Sequence, residues 1–156
     1  MSQTINAFIG SRLGSTRLKC KNLLLLDNKP LFSYLTDSAL ASIKIDNLFL
    51  NSDSEIILNI AKKIYSNQLQ YYVRPSNLGS SEAKLDDVVF DFMINFDSDI
   101  TIFFNPCCIF LKSQTIDQAI NYFIDNNLDS MCASRVAQTL CFLNNQPLNF
   151  SFSDSQ

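Results

Sequence analysis

The hydrophobic pattern of the chain alternates between strand-like and helix-like segments, and this alternation limits the possible folds more than any other feature. Short apolar runs typical of strands lie at 5–9, 48–50, 70–73, 100–104 and 130–133. Between them, apolar residues recur at steps of three and four, as on one face of a helix. Strands that alternate with helices are typical of βαβ units. The sequence therefore predicts an α/β fold with a mainly parallel sheet and helices on both faces.

Individual segments give sharper expectations. The run at 100–104 is typical of a central strand covered on both faces. Ser52 and Glu55 have the spacing of a capping box, and residues 141–150 predict a hairpin that turns at 144–146. The predicted buried helix faces are Phe32, Leu35, Ala39 and Ile43; Ile57, Ile60, Ala61 and Ile64; Leu85, Val88, Val89, Phe92, Met93 and Phe96; and Ile116, Ala119, Ile120 and Phe123.

Length and composition exclude several classes of protein. A chain of 156 residues that is 47% apolar can bury a core of its own, so residues 1–156 are expected to form a single domain. The chain has no histidine, which excludes Ser-His-Asp hydrolysis, Cys-His nucleophiles and His-ligated zinc or haem. It shows neither a signal-peptide pattern nor an apolar run of the roughly 20 residues that span a membrane. We therefore expect a soluble, cytoplasmic protein with no membrane partner.

Five cysteines, at positions 20, 107, 108, 132 and 141, show no CxxC spacing. Reduced and mostly buried thiols are the favoured interpretation. A disulfide framework or a metal site is the minor alternative.

Positive charge is concentrated near the N-terminus. Residues 1–26 contain Arg12, Arg17, Lys19 and Lys21 and no acidic residue, whereas the rest of the chain holds the other eight basic residues and all fifteen acidic ones. Binding to nucleic acid usually needs a broader basic face. This compact positive region therefore indicates a small anionic ligand and no nucleic-acid partner.

The basic residues lie in a loop that directly follows the first predicted strand. In parallel sheets, ligands bind beyond the carboxyl ends of the strands, so function is expected in residues 10–22, 51–54, 74–81 and 105–113. In the first of these loops, Gly14 permits a tight turn, arginine pairs with phosphate oxygens, and Lys21 supplies a mobile charge. The loop predicts triphosphate binding, although it is neither GxGxxG nor a P-loop. A solvated basic loop without a ligand is the alternative.

Residues 12–22, RLGSTRLKCKN, resemble the R-x-G-S-x-R-x-P-x-K-N signature of the sugar-acid cytidylyltransferases, and of the acylneuraminate (CMP-sialic acid and nonulosonic acid) branch in particular. The resemblance continues through Lys29-Pro30-Leu31, then Asn51-Ser52-Asp53, which is similar to S-T-D, and 74–78, which is similar to R-P-x-x-L. Asn105-Pro106-Cys107-Cys108 stands where Q-P-T-S is usual, and Leu85 stands where the family has a serine that helps to read cytosine. Order and spacing agree over nearly the whole chain.

This resemblance implies a Rossmann-like, doubly wound domain of the nucleotide-diphospho-sugar transferase type. It also implies transfer of CMP from CTP to a sugar acid, with release of pyrophosphate, for surface glycan biosynthesis. Mg²⁺ is the implied cofactor and a homodimer the implied assembly. The metal-binding aspartates of this branch lie in a later D-x-D segment. The chain ends at Gln156 before any such segment, so a C-terminally truncated member is expected, with no metal ligands assigned.

Carried over by position, the resemblance assigns the site residues. Arg12 and Lys21 are the predicted catalytic residues, and Arg74 is the predicted substrate-binding residue. The predicted nucleotide-binding residues are Arg12, Gly14, Ser15, Arg17, Lys21, Asn22 and Asn105.

Two other functions stay open: an inactive nucleotide-binding remnant of this family, and a nucleotidyltransferase of the KDO or spore-coat-polysaccharide type. Asp53 fits either a functional role or helix N-capping. Asp86, Asp87 and Asp91 are interpreted as a solvated helix face, and Tyr71 and Tyr72 as strand packing.

Overall fold

The computed structural model describes residues 3–15, 17–134, 141–148 and 151. The chain divides into two compact units, 1–126 and 127–156. The single domain expected over residues 1–156 stays a prediction.

The first unit alternates strands with helices, as the sequence predicts. Its strands are β1 (Ile5–Ser11), β2 (Leu25–Leu26), β3 (Lys29–Pro30), β4 (Asn47–Ser52), β5 (Gln70–Val73) and β6 (Ile100–Phe104). Its helices are α1 (Leu31–Leu40), α2 (Glu55–Tyr65), α3 (Leu85–Asn95) and α4 (Ser113–Asp125). Single 3-10 turns occur at Lys21–Leu23 and Ser76–Gly79, and β2 pairs with β3 as a small antiparallel ribbon.

The main sheet has the strand order β5-β4-β1-β6, and all three pairings are parallel. Alternate residues of β1 point to opposite faces. Ala7 and Ile9 join a core with α1, α2 and α4, whereas Phe8 joins a second core with α3. In the second core the rings of Phe8 and Phe92 stack with centroids 4.2 Å apart. Helices therefore cover both faces, which confirms the predicted Rossmann-like α/β class.

Two predictions about the sheet are wrong. Strand β6 pairs with β1 alone, so within the described sheet it is an edge strand and not a central one. Residues 130–133, predicted as a strand, have no regular secondary structure. The first prediction is wrong because a continuous apolar run indicates only that both faces of a strand are buried. The number of strands that pair with it depends on backbone hydrogen bonds, which the side-chain pattern does not show.

Some residues predicted for the buried helix faces are exposed. Phe32, Leu35 and Ala39 are buried, but α1 ends at Leu40 and Ile43 beyond it is 85% exposed. Helix α2 is rotated relative to the prediction and buries Ile57, Leu58, Ala61 and Tyr65, which leaves Ile64 outside. On α3, Val88 and Phe92 are buried, whereas Leu85 and Met93 are half exposed.

The predicted capping box does not form. Ser54 is the N-cap of α2, and its side chain makes no capping hydrogen bond. Ser52 lies at the end of β4, and its hydroxyl accepts a hydrogen bond from the N–H of Ser54 at 3.1 Å. The serine two residues later, rather than Ser52, therefore stands at the start of the helix.

The second unit contains the predicted hairpin, in a shorter form. Strands β7 (Phe142–Leu143) and β8 (Gln146–Pro147) pair antiparallel. Asn144 and Asn145 between them both have positive φ, at 49° and 61°, as a two-residue type I′ turn requires. Residues 149 and 150, the predicted end of this hairpin, lie outside the described residues.

The structure also bears on the expectations about the cysteines and about membrane-spanning segments. Cys20, Cys107, Cys108 and Cys132 are free and exposed, and Cys141 is half-buried, so the prediction of mostly buried thiols is wrong. In the part of the chain that the structure describes, no helix has both the length and the apolar character needed to cross a membrane.

Candidate functional site

A cavity of about 640 Å³ opens at the carboxyl ends of β1 and β6, within the range of small-molecule sites. Three of the four predicted loops line it: the loop after β1, the segment after β5, and the segment after β6. The lining includes most of the residues that the sequence predicts, namely Arg12, Ser15, Arg17, Lys21, Asn22, Arg74 and Asn105. The fold therefore brings residues from positions 12 to 105 into one site.

Gly14 does not belong to this lining. It is exposed, its φ is not positive, and a Cβ atom added there meets nothing within 4 Å. The structure thus gives no steric reason for a glycine at this position, and nucleotide binding by Gly14 stays a prediction. Thr16, in the same motif, lies outside the described residues.

Arg12 and Asn22 fix the shape of the loop after β1. Arg12 Nη1 donates a hydrogen bond to the carbonyl oxygen of Ser80 at 3.0 Å, which ties this loop to the segment after β5. Asn22 is only 3% exposed, and its Nδ2 donates to the carbonyl oxygen of Arg12 at 3.2 Å. The buried Asn22 side chain therefore links the two ends of the loop, and the guanidinium of Arg12 lines the cavity.

Lys21 and Asn105 both contact Cys107, in the segment after β6. Lys21 Nζ lies 2.8 Å from Cys107 Sγ. Asn105 Oδ1 accepts a hydrogen bond from the backbone N–H of Cys107 at 3.0 Å. This bond occupies the amide oxygen of Asn105, so its NH₂ group is the part able to donate to a ligand.

Arg74 is held differently from the other cations. It is 5% exposed, its Nη1 donates to Asn51 Oδ1 at 3.3 Å, and its Nη2 lies 3.5 Å from Asp53 Oδ1. Burial lowers the pKa of Arg74, with the charge of Arg12 acting in the same direction, whereas the charges of Asp53 and Asp91 raise it. Asp53 is thus an ion-pair partner of Arg74 and not a helix cap.

One wall of the cavity is apolar and contains Leu78, Leu85, Val88 and Phe103. Gly10, at the end of β1, lets the ring of Phe103 approach: a Cβ atom at position 10 would lie 2.8 Å from Phe103 Cε2. Gly10 and Phe103 are not among the site residues predicted from the sequence. A glycine near the carboxyl end of a buried strand often marks a close approach of another group, and this was the available signal in the sequence.

Tyr71, Tyr72 and Asp91 have structural roles. Tyr71 packs against the larger core and Tyr72 against Phe96, which confirms their interpretation as strand packing. Asp91 accepts a hydrogen bond from the Tyr72 hydroxyl at 3.0 Å, so it is not purely solvated. Asp86 and Asp87 are exposed, as predicted.

The described residues do not fit the Mg²⁺ site that the resemblance implies. Among residues 3–15, 17–134, 141–148 and 151, no group of three or more Asp, Glu, Cys or His side chains can hold a metal ion. Asp53, next to the cavity-lining Arg74, already compensates that guanidinium.

Comparison with known proteins places these features in a family. The family model described as "Cytidylyltransferase" matches residues 7–149. The chain is 33% identical over 123 residues to the pseudaminic acid cytidylyltransferase of Campylobacter jejuni, covering 76% of this chain and 52% of the relative. It is 29% identical to the CMP-N,N'-diacetyllegionaminic acid synthase of Legionella pneumophila, covering 74% and 51%.

Solved structures agree on the fold. A CMP:2-keto-3-deoxy-manno-octonic acid synthetase complexed with CTP is 18% identical, with a TM-score of 0.68 over 80% of this chain and 48% of that one. A cytidylyltransferase from Leptospira borgpetersenii gives a TM-score of 0.61 at 17% identity, over 80% of this chain and 50% of that one. The chain spans about half the length of the curated relatives named above.

Proposed function

Because the chain belongs to the cytidylyltransferase family, we propose that its cavity binds CTP and that it transfers CMP to a sugar acid of the nonulosonic type, with release of pyrophosphate. The product is an activated sugar for surface glycan biosynthesis. The cytoplasm, which supplies CTP, is the proposed location. By resemblance alone, the proposal also includes a homodimer and Mg²⁺, for which the described residues supply no group of three ligands.

The observation that carries this proposal is the meeting of Arg12, Arg17 and Lys21 at one cavity beyond the carboxyl ends of the strands. A triphosphate carries several negative charges on adjacent oxygens. Two guanidinium groups that can each form paired hydrogen bonds, together with one ammonium point charge, match that distribution. The apolar wall, with Leu85 and Val88, offers apolar surface to the uncharged part of a nucleotide.

The chemistry follows from charge neutralisation and positioning. A hydroxyl oxygen of the sugar acid attacks the α-phosphorus of CTP, the bond to the bridging oxygen of the β-phosphate breaks, and pyrophosphate leaves. The hydroxyl proton passes to solvent. Arg12 and Lys21 stabilise the charge that builds on the leaving pyrophosphate, and Arg74 together with the amide of Asn105 orients the acceptor and the nucleotide.

Release of pyrophosphate tests this function directly. The protein is incubated with CTP and Mg²⁺ and with pseudaminic, diacetyllegionaminic, N-acetylneuraminic or 2-keto-3-deoxy-manno-octonic acid, each in a separate reaction. We expect release with a nonulosonic acid and none with Arg12→Ala. If no acid gives release above the blank and CTP causes no thermal shift, the proposed function is wrong.

Binding without transfer is the second candidate, and Leu85 favours it. Its half-exposed apolar side chain lines the cavity and cannot form a hydrogen bond with a base. In this case CTP and UTP shift the thermal midpoint equally, and no acid yields pyrophosphate. A CTP shift well above the UTP shift favours the transferase. Release of pyrophosphate with 2-keto-3-deoxy-manno-octonic acid alone favours the KDO-type reaction.

A further inference from the structure

Buried polar atoms without hydrogen-bond partners gather at one edge of the sheet. The described residues contain five such side-chain atoms, and four lie at or just beyond the carboxyl ends of β1, β4 and β5: Ser11 Oγ, Asn51 Nδ2, Asp53 Oδ1 and Arg74 Nε. A buried polar atom without a partner reduces stability, so a cluster of them calls for an explanation. Arg74 is the member of the cluster that lines the cavity.

The guanidinium of Arg74 is fixed by its neighbours on β4. The backbone N–H of Arg74 donates to the carbonyl oxygen of Ser52 at 3.0 Å, which extends the pairing of β5 with β4. Asn51 and Asp53 lie on either side of Ser52 in the sequence. Arg74 Nη1 donates to Asn51 Oδ1 at 3.3 Å, and Arg74 Nη2 lies 3.5 Å from Asp53 Oδ1. These contacts use both ends of the guanidinium and leave Nε–H without a partner.

Gly79 makes room for Asp53. A Cβ atom at position 79 would lie 2.2 Å from Asp53 Oδ2 and within 2.6 Å of Asp53 Cγ and Cβ. The φ of Gly79 is not positive, so space and not backbone conformation is what requires a glycine here. The next residue, Ser80, accepts the hydrogen bond from Arg12. Asp53 therefore lies between β4 and the segment that Arg12 contacts.

Charge explains why a carboxylate occupies this place. Arg12 and Arg74 line the same cavity, and the charge of Arg12 lowers the pKa of Arg74. A guanidinium that is 5% exposed needs a nearby negative charge to stay ionised at low cost. The Asp53 side chain, itself only 18% exposed, supplies that charge.

We propose that Asp53 is a positioning residue for ligand binding: it holds the guanidinium of Arg74 in one orientation and cancels its charge. Arg74 then acts as a fixed directional donor. Arg12, Arg17 and Lys21, which form no ion pair among the described residues, act as the cations that attract phosphate. The ligand named in the binding test rests on the proposed function, whereas the first readout below needs no ligand.

The first readout is the Arg74 Nε–H signal in ¹⁵N NMR of the ligand-free protein, assigned by its loss in Arg74→Lys. The substitution Asp53→Asn keeps the size of the side chain under Gly79 and removes its charge. We expect the Nε–H of Arg74 to exchange with solvent at least tenfold faster in Asp53→Asn than in the wild type. An unchanged exchange rate in a folded variant overturns the proposal, whether or not the protein binds CTP.

The second readout compares two ligands by titration calorimetry, CTP and inorganic triphosphate. In Asp53→Asn we expect CTP affinity to fall about tenfold, which corresponds to roughly 1.4 kcal/mol, because Arg74 is no longer oriented. Triphosphate affinity should stay equal or rise, since the cavity gains net positive charge. Equal losses for both ligands indicate a purely structural role and overturn the proposal. A wild type that binds neither ligand contradicts the proposed function instead.

The fit between Gly79 and Asp53 gives an independent test. Gly79→Ala should lower CTP affinity as Asp53→Asn does, because the added Cβ displaces the carboxylate. In an Asp53→Gly background the same substitution should have no further effect, since every side-chain atom of residue 53 that the added Cβ would meet is gone. This non-additivity identifies the contact. Additive effects of the two substitutions contradict it.

Discussion

Replacing Lys21 by alanine tests the phosphate-binding loop most sharply, because the same loop offers a matched control in Lys19. Both lysines lie in the positive region, but Lys21 lines the cavity, with its Nζ 2.8 Å from Cys107, whereas Lys19 is exposed and is not among the described lining residues. A hydrogen bond to a charged group contributes about 1.5–3 kcal/mol. Lys21→Ala should therefore weaken CTP binding roughly 10- to 150-fold, and Lys19→Ala less than about threefold.

Salt separates direct contact from long-range attraction in the same assay. The Debye length falls from about 8 Å at physiological ionic strength to about 3 Å in 1 M salt, so the small effect of Lys19→Ala should disappear. The effect of Lys21→Ala should persist in part, because a direct contact with phosphate is screened much less. Calorimetric titration of CTP at both salt concentrations measures the difference. Equal effects of the two substitutions at both concentrations refute the assignment of Lys21 to the triphosphate.

Three further outcomes are expected. CTP should protect Cys107, which lines the cavity, from alkylation and leave the exposed Cys108 reactive. Mass spectrometry after iodoacetamide treatment measures the labelling of each cysteine, and equal labelling of both in the presence of CTP contradicts binding of CTP in this cavity. Gly10→Ala should lower stability by about 1–3 kcal/mol, which is roughly 2–12 °C in Tm, because its Cβ would lie 2.8 Å from an aromatic carbon. Gly14→Ala, in open space, should leave Tm nearly unchanged. Burial, together with the hydrogen-bonded carboxylate of Asp91, raises the pKa of Tyr72 from 10.0 to about 12. The stability that the protonated phenol contributes is therefore complete below pH 10 and is lost as pH rises from 10 to 12. Denaturant unfolding of Tyr72→Phe should show a smaller loss of stability over this range than the wild type.

Most strand positions and the location of the cavity were predictable because they depend on local patterns. The predicted strand at 70–73 coincides with β5, and those at 5–9 and 48–50 lie within β1 and β4. Three of the four predicted loops line one cavity, because parallel strands place their carboxyl ends at the same edge. Helix orientation was less predictable. The sequence of α2 contains apolar residues on more than one side, so Leu58 and Tyr65 replace Ile64 in the core.

By itself, the sequence determined the order of elements, the mainly parallel sheet and the basic loop, since hydrophobic periodicity and charge spacing are properties of neighbouring residues. Only the tertiary structure decided that β6 is an edge strand of the described sheet, that Asp53 compensates Arg74, and that Gly79 is needed to admit Asp53. Each of these depends on two segments meeting across the fold. Steric exclusion and charge compensation between residues 20 or more positions apart leave no periodic signal in a single chain.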